Sequence, residues 1–400
     1  MNSIEDRIRA AASAAADTVP PDGVPPLRLP PAGRRRHWRL APLTAAVAPL
    51  AAAVAVAAVV IAMVGIGRAV HDSASAPRRA APETIASLVA AGLVPRYYVE
   101  ISTSGSAAAV RATATGKTLA TIAPPTAGDL IVAVSAAADD RTFVLAARSR
   151  ASASAVTFYQ FRLSSTGRPG RLGSMPGSVP GGATMTGFAL SPRGDKLAVA
   201  STPGHSEVEI KVYSLVTTAV PTWTATASDV GPGLAPVTAP GDVTTLSWAL
   251  DERTLAFAWG GNGTRLISPG ARSGNLISAS RAGFGGTGQG WTCMGSPVIT
   301  GDGTTLACGA RVWSPESVSN DQIGYAEYAT AGGKLERVVG QRLAGPEGPT
   351  LGWVNASGSV LIGGVQANLN SPLLIVGVIT GDHFLPLPGS PDLLSMNIAW

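Results

Sequence analysis

The stretch Phe188-ALSPRGDKLAVA decides the fold. In it an apolar segment leads into a turn of small, polar or charged residues, and a second apolar segment follows. The same arrangement recurs in four other stretches, which begin at Leu130, Leu246, Pro297 and Leu351. The turns, marked at Asp140, Asp195, Asp251, Asp302 and Ser357, lie about 55, 56, 51 and 55 residues apart. Self-similarity at such a period predicts a propeller or a solenoid.

Each repeat supplies an inner pair of strands in the quoted stretch and then an outer pair. The outer pairs begin at Val156, Val208, Thr264, Gly324 and Leu373, and their second strands begin at Arg171, Thr222, Asn275, Leu335 and His383. Three strands precede the first repeat, from Arg96, Ala107 and Thr118, and one strand follows the last, from Leu394. Pairing that last strand with the first three completes a sixth blade and removes free sheet edges. The expected fold of 96–400 is therefore an all-β, six-bladed β-propeller with four-stranded blades, closed by the C-terminal strand.

The positive charge of the chain lies outside the expected propeller. The formal net charge is +5. Residues 1–40 carry seven Arg and four acids, residues 68–96 carry four Arg and two acids, and the rest of the chain is balanced. A nucleic-acid-binding protein carries its basic excess on the folded domain, so nucleic acid is excluded as a partner.

Residues 41–67 form an uncharged, apolar run of 27 residues. This exceeds the ~20 residues that a helix needs to cross a bilayer. Before it stand Arg34, Arg35, Arg36, Trp38 and Arg39, and far fewer cations follow it. The positive-inside rule then places the N-terminus in the cytoplasm and the propeller outside the plasma membrane.

The alternative is a cleaved signal peptide, for which Ala74-Ser-Ala76 has the right residue sizes. Pro77 directly after that site and the length of the apolar run argue against it. The predicted organisation is a cytoplasmic tail (1–40) with a short helix and a Pro-rich spacer, a transmembrane helix (41–67), an extracytoplasmic linker or stalk (68–95) and the propeller (96–400).

The two cysteines, Cys293 and Cys308, fall in one repeat. If the turn lies between Thr300 and Thr304, Cys308 is opposite a point three residues from Cys293. Strand twist or a bulge could then bring the sulfur atoms into bonding range. An even pair outside the membrane favours a disulfide, and two buried free thiols are the alternative.

Few residues suggest catalysis. The four histidines show no metal-binding spacing, and no nucleophile motif occurs, so we expect no catalytic residue, no metal and no cofactor. The acid pairs Asp139-Asp140 and Asp251-Glu252 fall in inner hairpin turns, where Asp commonly bonds the turn amides; a calcium site is the alternative. Five tryptophans lie on or near inner strands: Trp248, Trp259, Trp291, Trp313 and Trp353. Most should pack between blades, and one or two could line a central funnel.

The inner hairpin resembles the repeats of WD40-like and TolB-type β-propellers. Ser191, Pro192, Gly194 and Asp195 match by position the Ser-Pro-Asp-Gly element of that family. No blade carries the Gly-His and Trp-Asp dipeptides in their WD40 places, since the Gly204-His205 pair lies in a loop, and the period is longer than that of true WD40 repeats. The whole layout looks like membrane-anchored actinobacterial propellers, some found beside extracytoplasmic-function sigma factors, and this resemblance implies surface sensing or regulation.

These observations predict a binding or sensing module rather than an enzyme. A protein or small ligand would bind at the funnel mouth, formed by loops including 201–207, 227–242 and 281–296. Residues 1–40 could bind a cytoplasmic regulator such as a sigma factor. A structural scaffold for an envelope complex is the alternative, and an extracytoplasmic propeller enzyme is a less favoured one.

Overall fold

A computed structural model describes residues 83–150, 155–181, 183–204, 207–216, 220–228, 243–259, 263–270, 274–284, 290–312, 322–340, 349–366, 374–381, 383–389 and 398–400. No helix in these ranges combines the length and apolarity that a membrane crossing requires. The predicted tail, transmembrane helix and most of the linker lie outside the described residues, together with Arg34, Arg35, Arg36, Trp38 and Arg39. Those assignments therefore stay predictions.

Within the described ranges, the strands form six sheets of four or five strands each. Blade 1 contains β4 (Leu130–Ala136), β5 (Thr142–Arg148), β6 (Val156–Arg162) and β7 (Gly173–Val179). Blade 2 contains β8 (Thr184–Leu190), β9 (Lys196–Gly204), β10 (Glu207–Ser214) and β11 (Pro221–Ser228). Blade 3 contains β12 (Val243–Trp248), β13 (Leu255–Trp259), β14 (Gly263–Ile267) and β16 (Arg281–Phe284).

The remaining sheets complete the ring. Blade 4 contains β17 (Thr292–Ile299), β18 (Thr305–Val312), β19 (Gln322–Ala329) and β20 (Leu335–Val339). Blade 5 contains β21 (Thr350–Val354), β22 (Val360–Gln366), β23 (Leu374–Thr380) and β24 (His383–Pro386). The closing blade contains β25 (Ile398–Ala399), β1 (Tyr97–Ile101), β2 (Ala108–Ala112) and β3 (Thr118–Ile122). The predicted six-bladed propeller is confirmed.

The closing blade joins the two ends of the propeller, as predicted. Strand β25 pairs antiparallel with β1, with Ala399 opposite Val99 and Ile398 opposite Glu100. This pairing covers the edge of β1 that would otherwise be free. Ile398 and Trp400 are buried in a core cluster that the closing blade shares with blade 5.

A short helix, α1 (Ile85–Ala90), precedes the closing blade. Thr84 caps it: the Thr84 hydroxyl accepts from the Ser87 amide, and the Ser87 hydroxyl accepts from the Thr84 amide. Such reciprocal bonds satisfy amides that the helix itself leaves free. Ile85 and Leu88 on one side of the helix are buried in the same cluster as Trp400. Helix α1 is thus packed on the propeller where the chain enters it.

One predicted outer strand is wrong. The segment from Asn275 was expected to be the fourth strand of blade 3, but that place is taken by β16. Only β15 (Gly274–Asn275) is extended, and it pairs parallel with β11 of blade 2. The Asn275 side chain then accepts from the Ser278 amide and caps the one-turn helix α2 (Leu276–Ala279). Asparagine favours this capping role over a strand position.

Polar side chains connect neighbouring blades in addition to the apolar clusters between them. The Tyr325 hydroxyl of blade 4 donates to the Gly364 carbonyl of blade 5, at 3.2 Å. The Trp248 indole of blade 3 donates to the Ala189 carbonyl of blade 2, at 3.2 Å. Arg337 holds the buried Glu327 through two bonds of 2.6 and 2.8 Å and also donates to the Gly358 carbonyl. These bonds satisfy buried polar groups and fix each blade against the next.

The sulfur atoms of Cys293 and Cys308 are bonded in the structure, across β17 and β18. Cys293 is opposite Ala310, so the two cysteines are diagonal neighbours rather than direct partners. The register shifts on both sides of Gly295, and the Cα atoms of the cysteines are 5.7 Å apart. This separation falls in the range that a disulfide requires.

Candidate functional site

A cavity of about 750 Å³ lies on the axis of the propeller. The innermost strand of every blade contributes to its wall: β4, β8, β12, β17, β21 and β25. The lining residues come from the second half of most of these strands and from the turns that follow them. The cavity is therefore at the end of the propeller where the first and second strands of each blade are joined.

This is the opposite end from the predicted binding loops. Successive antiparallel strands place their connections alternately at the two ends of a blade. The turn between β8 and β9 borders the cavity, whereas the connection between β9 and β10, in 201–207, is at the other end. Loop 227–242 lies outside the described residues except for 227 and 228, and loop 281–296 lies outside them only at 285–289. None of the described residues of either loop lines the cavity.

Most residues that line the cavity have apolar side chains, but its exposed surface is a mixture of polar and apolar atoms. Its polar side chains have two different roles. The Ser135 hydroxyl accepts from the Leu190 amide at 3.0 Å, and the Ser247 hydroxyl accepts from the Ile299 amide at 3.2 Å. Each bond links the inner strand of one blade to the inner strand of the next. The Thr186 hydroxyl and the Trp400 indole N–H are buried and have no hydrogen-bond partner among the described residues. Both atoms are shielded from the open cavity, so they are buried polar groups rather than ligand contacts.

Three tryptophans contact the cavity: Trp248, Trp353 and Trp400. The sequence pattern identified the first two as candidates for the funnel. It missed Trp400, because this residue belongs to the closing strand rather than to a repeat. Trp400 is only 4% exposed, and its ring centroid is 6.0 Å from that of Tyr98. The ring of Trp248 already has the Lys196 ammonium 6.0 Å from its centroid.

Asp139 forms the turn between β4 and β5. Its carboxylate accepts from the amides of Arg141 and Thr142, at 3.0 and 2.7 Å, and from the Thr142 hydroxyl at 2.8 Å. Burial alone would raise the pKa of Asp139, but these hydrogen bonds and the nearby Arg162 outweigh it and lower the pKa. The predicted turn role of this acid pair thus falls on Asp139.

Asp140 has a different environment. It lines the cavity and is the only ionisable residue among the described lining residues. Burial raises its pKa, the charge of Asp139 raises it further, and the charges of Arg96 and Arg141 partly oppose this. Its backbone φ of 57° is in the left-handed region, which Asp and Asn tolerate better than most residues. The repeated acids of the hairpin turns were the signal that could have identified this residue.

The described residues contain no group of three or more His, Cys, Asp or Glu side chains that could hold a metal ion. His383 is exposed at the start of β24, away from the cavity, and the other three histidines lie outside the described residues. What the site offers chemically is a cavity with a mixed polar and apolar surface, one side-chain carboxylate and indole rings.

Comparisons with known proteins found similar folds but no family. No protein-family model and no curated protein matches the chain. Among solved structures, TolB from Acinetobacter baumannii is 14% identical, with a TM-score of 0.48, over 78% of this chain and 69% of that one. The β-propeller domain of Myceliophteria thermophila Cps50 (Swd1) is 14% identical, with a TM-score of 0.40, over 68% of this chain and 77% of that one. A protein of unknown function from Bacteroides caccae is 13% identical, with a TM-score of 0.43, over 76% of this chain and 98% of that one.

Proposed function

We propose that this protein is a binding module, anchored in the plasma membrane by one helix, that displays its propeller outside the cell and takes a ligand or partner at the central cavity. The observation that carries the proposal is the cavity itself. It is about 750 Å³ in volume and is formed by the inner strands of all six blades. Concave sites of this size with an apolar wall and a few polar groups are typical ligand sites.

Two features support the proposed location. The uncharged run 41–67 is long enough to cross a bilayer, and the cations Arg34, Arg35, Arg36 and Arg39 precede it. These cations favour a cytoplasmic N-terminus. A disulfide between Cys293 and Cys308 fits an oxidising compartment outside the cytoplasm, since cytosolic thiols are mostly kept reduced.

Binding rather than catalysis is part of the proposal. General acid–base and nucleophilic catalysis use ionisable groups that converge on one point. Among the described lining residues, Asp140 is the only such group. Regulation is the finer form of the proposal: residues 1–40 would bind a cytoplasmic regulator such as a sigma factor and report whether the cavity is occupied.

The location can be tested with the four lysines, which all lie in the propeller: Lys117, Lys196, Lys211 and Lys334. Lys117 and Lys334 are exposed. A membrane-impermeant amine reagent added to intact cells is expected to label both, as read by peptide mass spectrometry. The Lys117→Arg, Lys334→Arg double variant keeps the charge, removes both amines and should lose most of the label. Labelling that requires permeabilised cells would contradict the proposed topology.

Binding at the cavity can be tested by narrowing its mouth. Ala138 is exposed in the first turn of blade 1 and borders the cavity, so Ala138→Trp should obstruct the mouth without disturbing the core. Full-length protein is captured from cross-linked native membranes and analysed by mass spectrometry. We expect Ala138→Trp to reduce recovery of a specific partner by about tenfold, which corresponds to about 1.4 kcal/mol of binding free energy.

The matched control is Ala127→Trp, which places the same side chain at an exposed position that does not line the cavity. It should recover the partner at the wild-type level. If Ala138→Trp retains every protein partner of the wild type, no protein partner binds at the cavity, and that form of the proposal fails.

A further inference from the structure

The regular pattern of turns around the cavity is broken at the closing blade. In blades 1 to 5 a hairpin turn joins the innermost strand to the second strand, and these turns border the cavity end. In the closing blade the innermost strand is β25 and the second is β1, which begins some 300 residues earlier in the chain. No hairpin can join them. Gly92, Leu93, Pro95 and Trp400 line the cavity at this position instead.

Blade 3 shows how the regular pattern uses its acids. Its turn reads Asp251-Glu252-Arg253-Thr254, and Asp251 accepts from the amides of Arg253 and Thr254, at 2.8 and 3.2 Å. The second acid, Glu252, has a φ of 55° and is 7% exposed. Its carboxylate accepts from the Arg193 amide at 2.8 Å and lies 3.4 Å from the Lys196 ammonium. The turn of blade 2 thus supplies both the positive charge and the hydrogen bond that the buried Glu252 carboxylate needs.

Blade 1 has the same turn, Asp139-Asp140-Arg141-Thr142, with Asp140 at the position of Glu252. Both residues share the left-handed backbone, with φ values of 57° and 55°. The blade that precedes blade 1 in the ring is the closing blade, in which no hairpin turn joins the innermost strand to the second one and could supply a partner. Asp140 makes no hydrogen bond and no ion pair within the described part of the chain. The exposed Arg96 acts on it through its charge without forming an ion pair.

We infer that the cavity binds an organic cation, an ammonium or guanidinium group on an apolar body, with Asp140 as its counter-ion. The inference rests on the proposed function and specifies the ligand class of the same site. The cation would occupy the place that Lys196 and the Arg193 amide take beside Glu252. The apolar body would contact the inner strands and the rings of Trp353 and Trp400. Indole faces attract cations, which adds to the preference for a cation over a neutral or anionic ligand.

The side chains of the site favour an organic cation over a metal ion. Hard metal ions take six or more oxygen ligands, whereas the described residues offer no cluster of three acidic or metal-binding side chains. A single carboxylate suits an organic cation better.

The test uses the full-length protein in lipid nanodiscs and three probes of similar size: 2-phenylethylammonium, 2-phenylethanol and phenylacetate. Binding is measured by saturation-transfer NMR, with empty discs as the blank. The ammonium probe is expected to bind at least about tenfold more tightly than the alcohol, because both probes can donate to the Asp140 carboxylate but only the ammonium carries the opposite charge. Phenylacetate is expected to bind most weakly.

Asp140→Asn removes the charge and keeps a residue that tolerates a positive φ. We expect it to abolish the preference for the ammonium probe. The matched control is Asp129→Asn, the same substitution just before β4, at the end of that strand away from the cavity. It should leave the preference unchanged.

The folding of the Asp140→Asn variant is checked separately by its melting temperature. Because the folded-state pKa of Asp140 is raised, the ionised carboxylate destabilises the folded protein as pH rises through that pKa. Asp140→Asn should therefore melt at or above the wild-type temperature at neutral pH, and the difference should vanish in acid.

The outcomes separate the inferred ligand class from the proposed function as a binding module. If the alcohol or phenylacetate binds as tightly as the ammonium probe, or if Asp140→Asn keeps the preference, the inference is overturned while the cavity remains a binding site. If the wild type binds none of the probes, the inference is also overturned. The proposed function is then judged independently by the capture experiment with Ala138→Trp.

Discussion

Deletion of residues 398–400 is expected to leave the propeller unfolded or aggregated. The deletion removes β25, the strand that closes the ring by pairing with β1. It also removes Ile398 and Trp400 from the core cluster that joins the closing blade to blade 5 and α1. Truncating one buried tryptophan costs about 3–5 kcal/mol, and a whole domain is stable by about 5–15 kcal/mol. Loss of both side chains and exposure of a free strand edge should exceed what the fold can tolerate.

The measurement is urea denaturation followed by circular dichroism, with size-exclusion chromatography for aggregation. The control is the Ile398→Val, Trp400→Phe double variant, which keeps the backbone pairing of β25 and most of the buried surface. It should unfold cooperatively at a somewhat lower urea concentration. A deletion variant that unfolds cooperatively at the wild-type midpoint would show that closure by β25 contributes little.

The architecture could be predicted because its signal is local and repeated. In Phe188-ALSPRGDKLAVA, the Ser191 hydroxyl accepts from the Asp195 and Lys196 amides, and Gly194 has a φ of 72°. The hairpin is thus encoded within a few consecutive residues, and five copies at one spacing indicate the blades. Closure followed from counting strands at the two ends of the domain.

Features that depend on contacts between distant residues could not be predicted in the same way. Asn275 precedes an apolar Leu-Ile pair that is suited to a strand, but its side chain caps α2, and β15 joins the edge of blade 2. The disulfide between Cys293 and Cys308 was the favoured expectation and is present, but the positions of the two register shifts around Gly295 that bring the cysteines together have no sequence signal. Trp400 reaches the cavity only because the ring closes.

The candidate site shows the same limit. Asp139 and Asp140 form one acid pair in the sequence, and turn chemistry explained both equally well. The structure separates them: Asp139 bonds the turn amides, whereas Asp140 lines the cavity beside the one blade whose innermost and second described strands are not joined by a hairpin turn. The difference arises from the place of blade 1 in the ring, which is a property of the assembled fold. The membrane anchor and the cytoplasmic tail stay predictions from the sequence.

Gly116→Ala is expected to destabilise the propeller strongly by forcing the closing blade away from blade 5. Gly116 is in the turn between β2 and β3, with a φ of 67°. A Cβ atom there would lie 1.5 Å from the Pro388 carbonyl oxygen and 2.3 Å from its carbon. The Arg111 side chain donates hydrogen bonds to the carbonyls of both Gly116 and Gly389, which holds the two turns close together. The neighbouring atoms are backbone and cannot move away as a flexible side chain would.

Two effects add in this variant. A left-handed backbone costs a residue with a Cβ about 1–2 kcal/mol, and overpacking adds about 1–3 kcal/mol. Gly92→Ala separates them, because Gly92 has a φ of 69° and no atom within 4 Å of the position of a Cβ. Urea denaturation measures the free energy of unfolding of both variants. We expect Gly92→Ala to lower it only by the cost of the left-handed backbone, and Gly116→Ala to lower it clearly more or to fail to fold. Equal losses of stability in the two variants would mean that the closing blade and blade 5 lie further apart at Gly116 than they do in the structure.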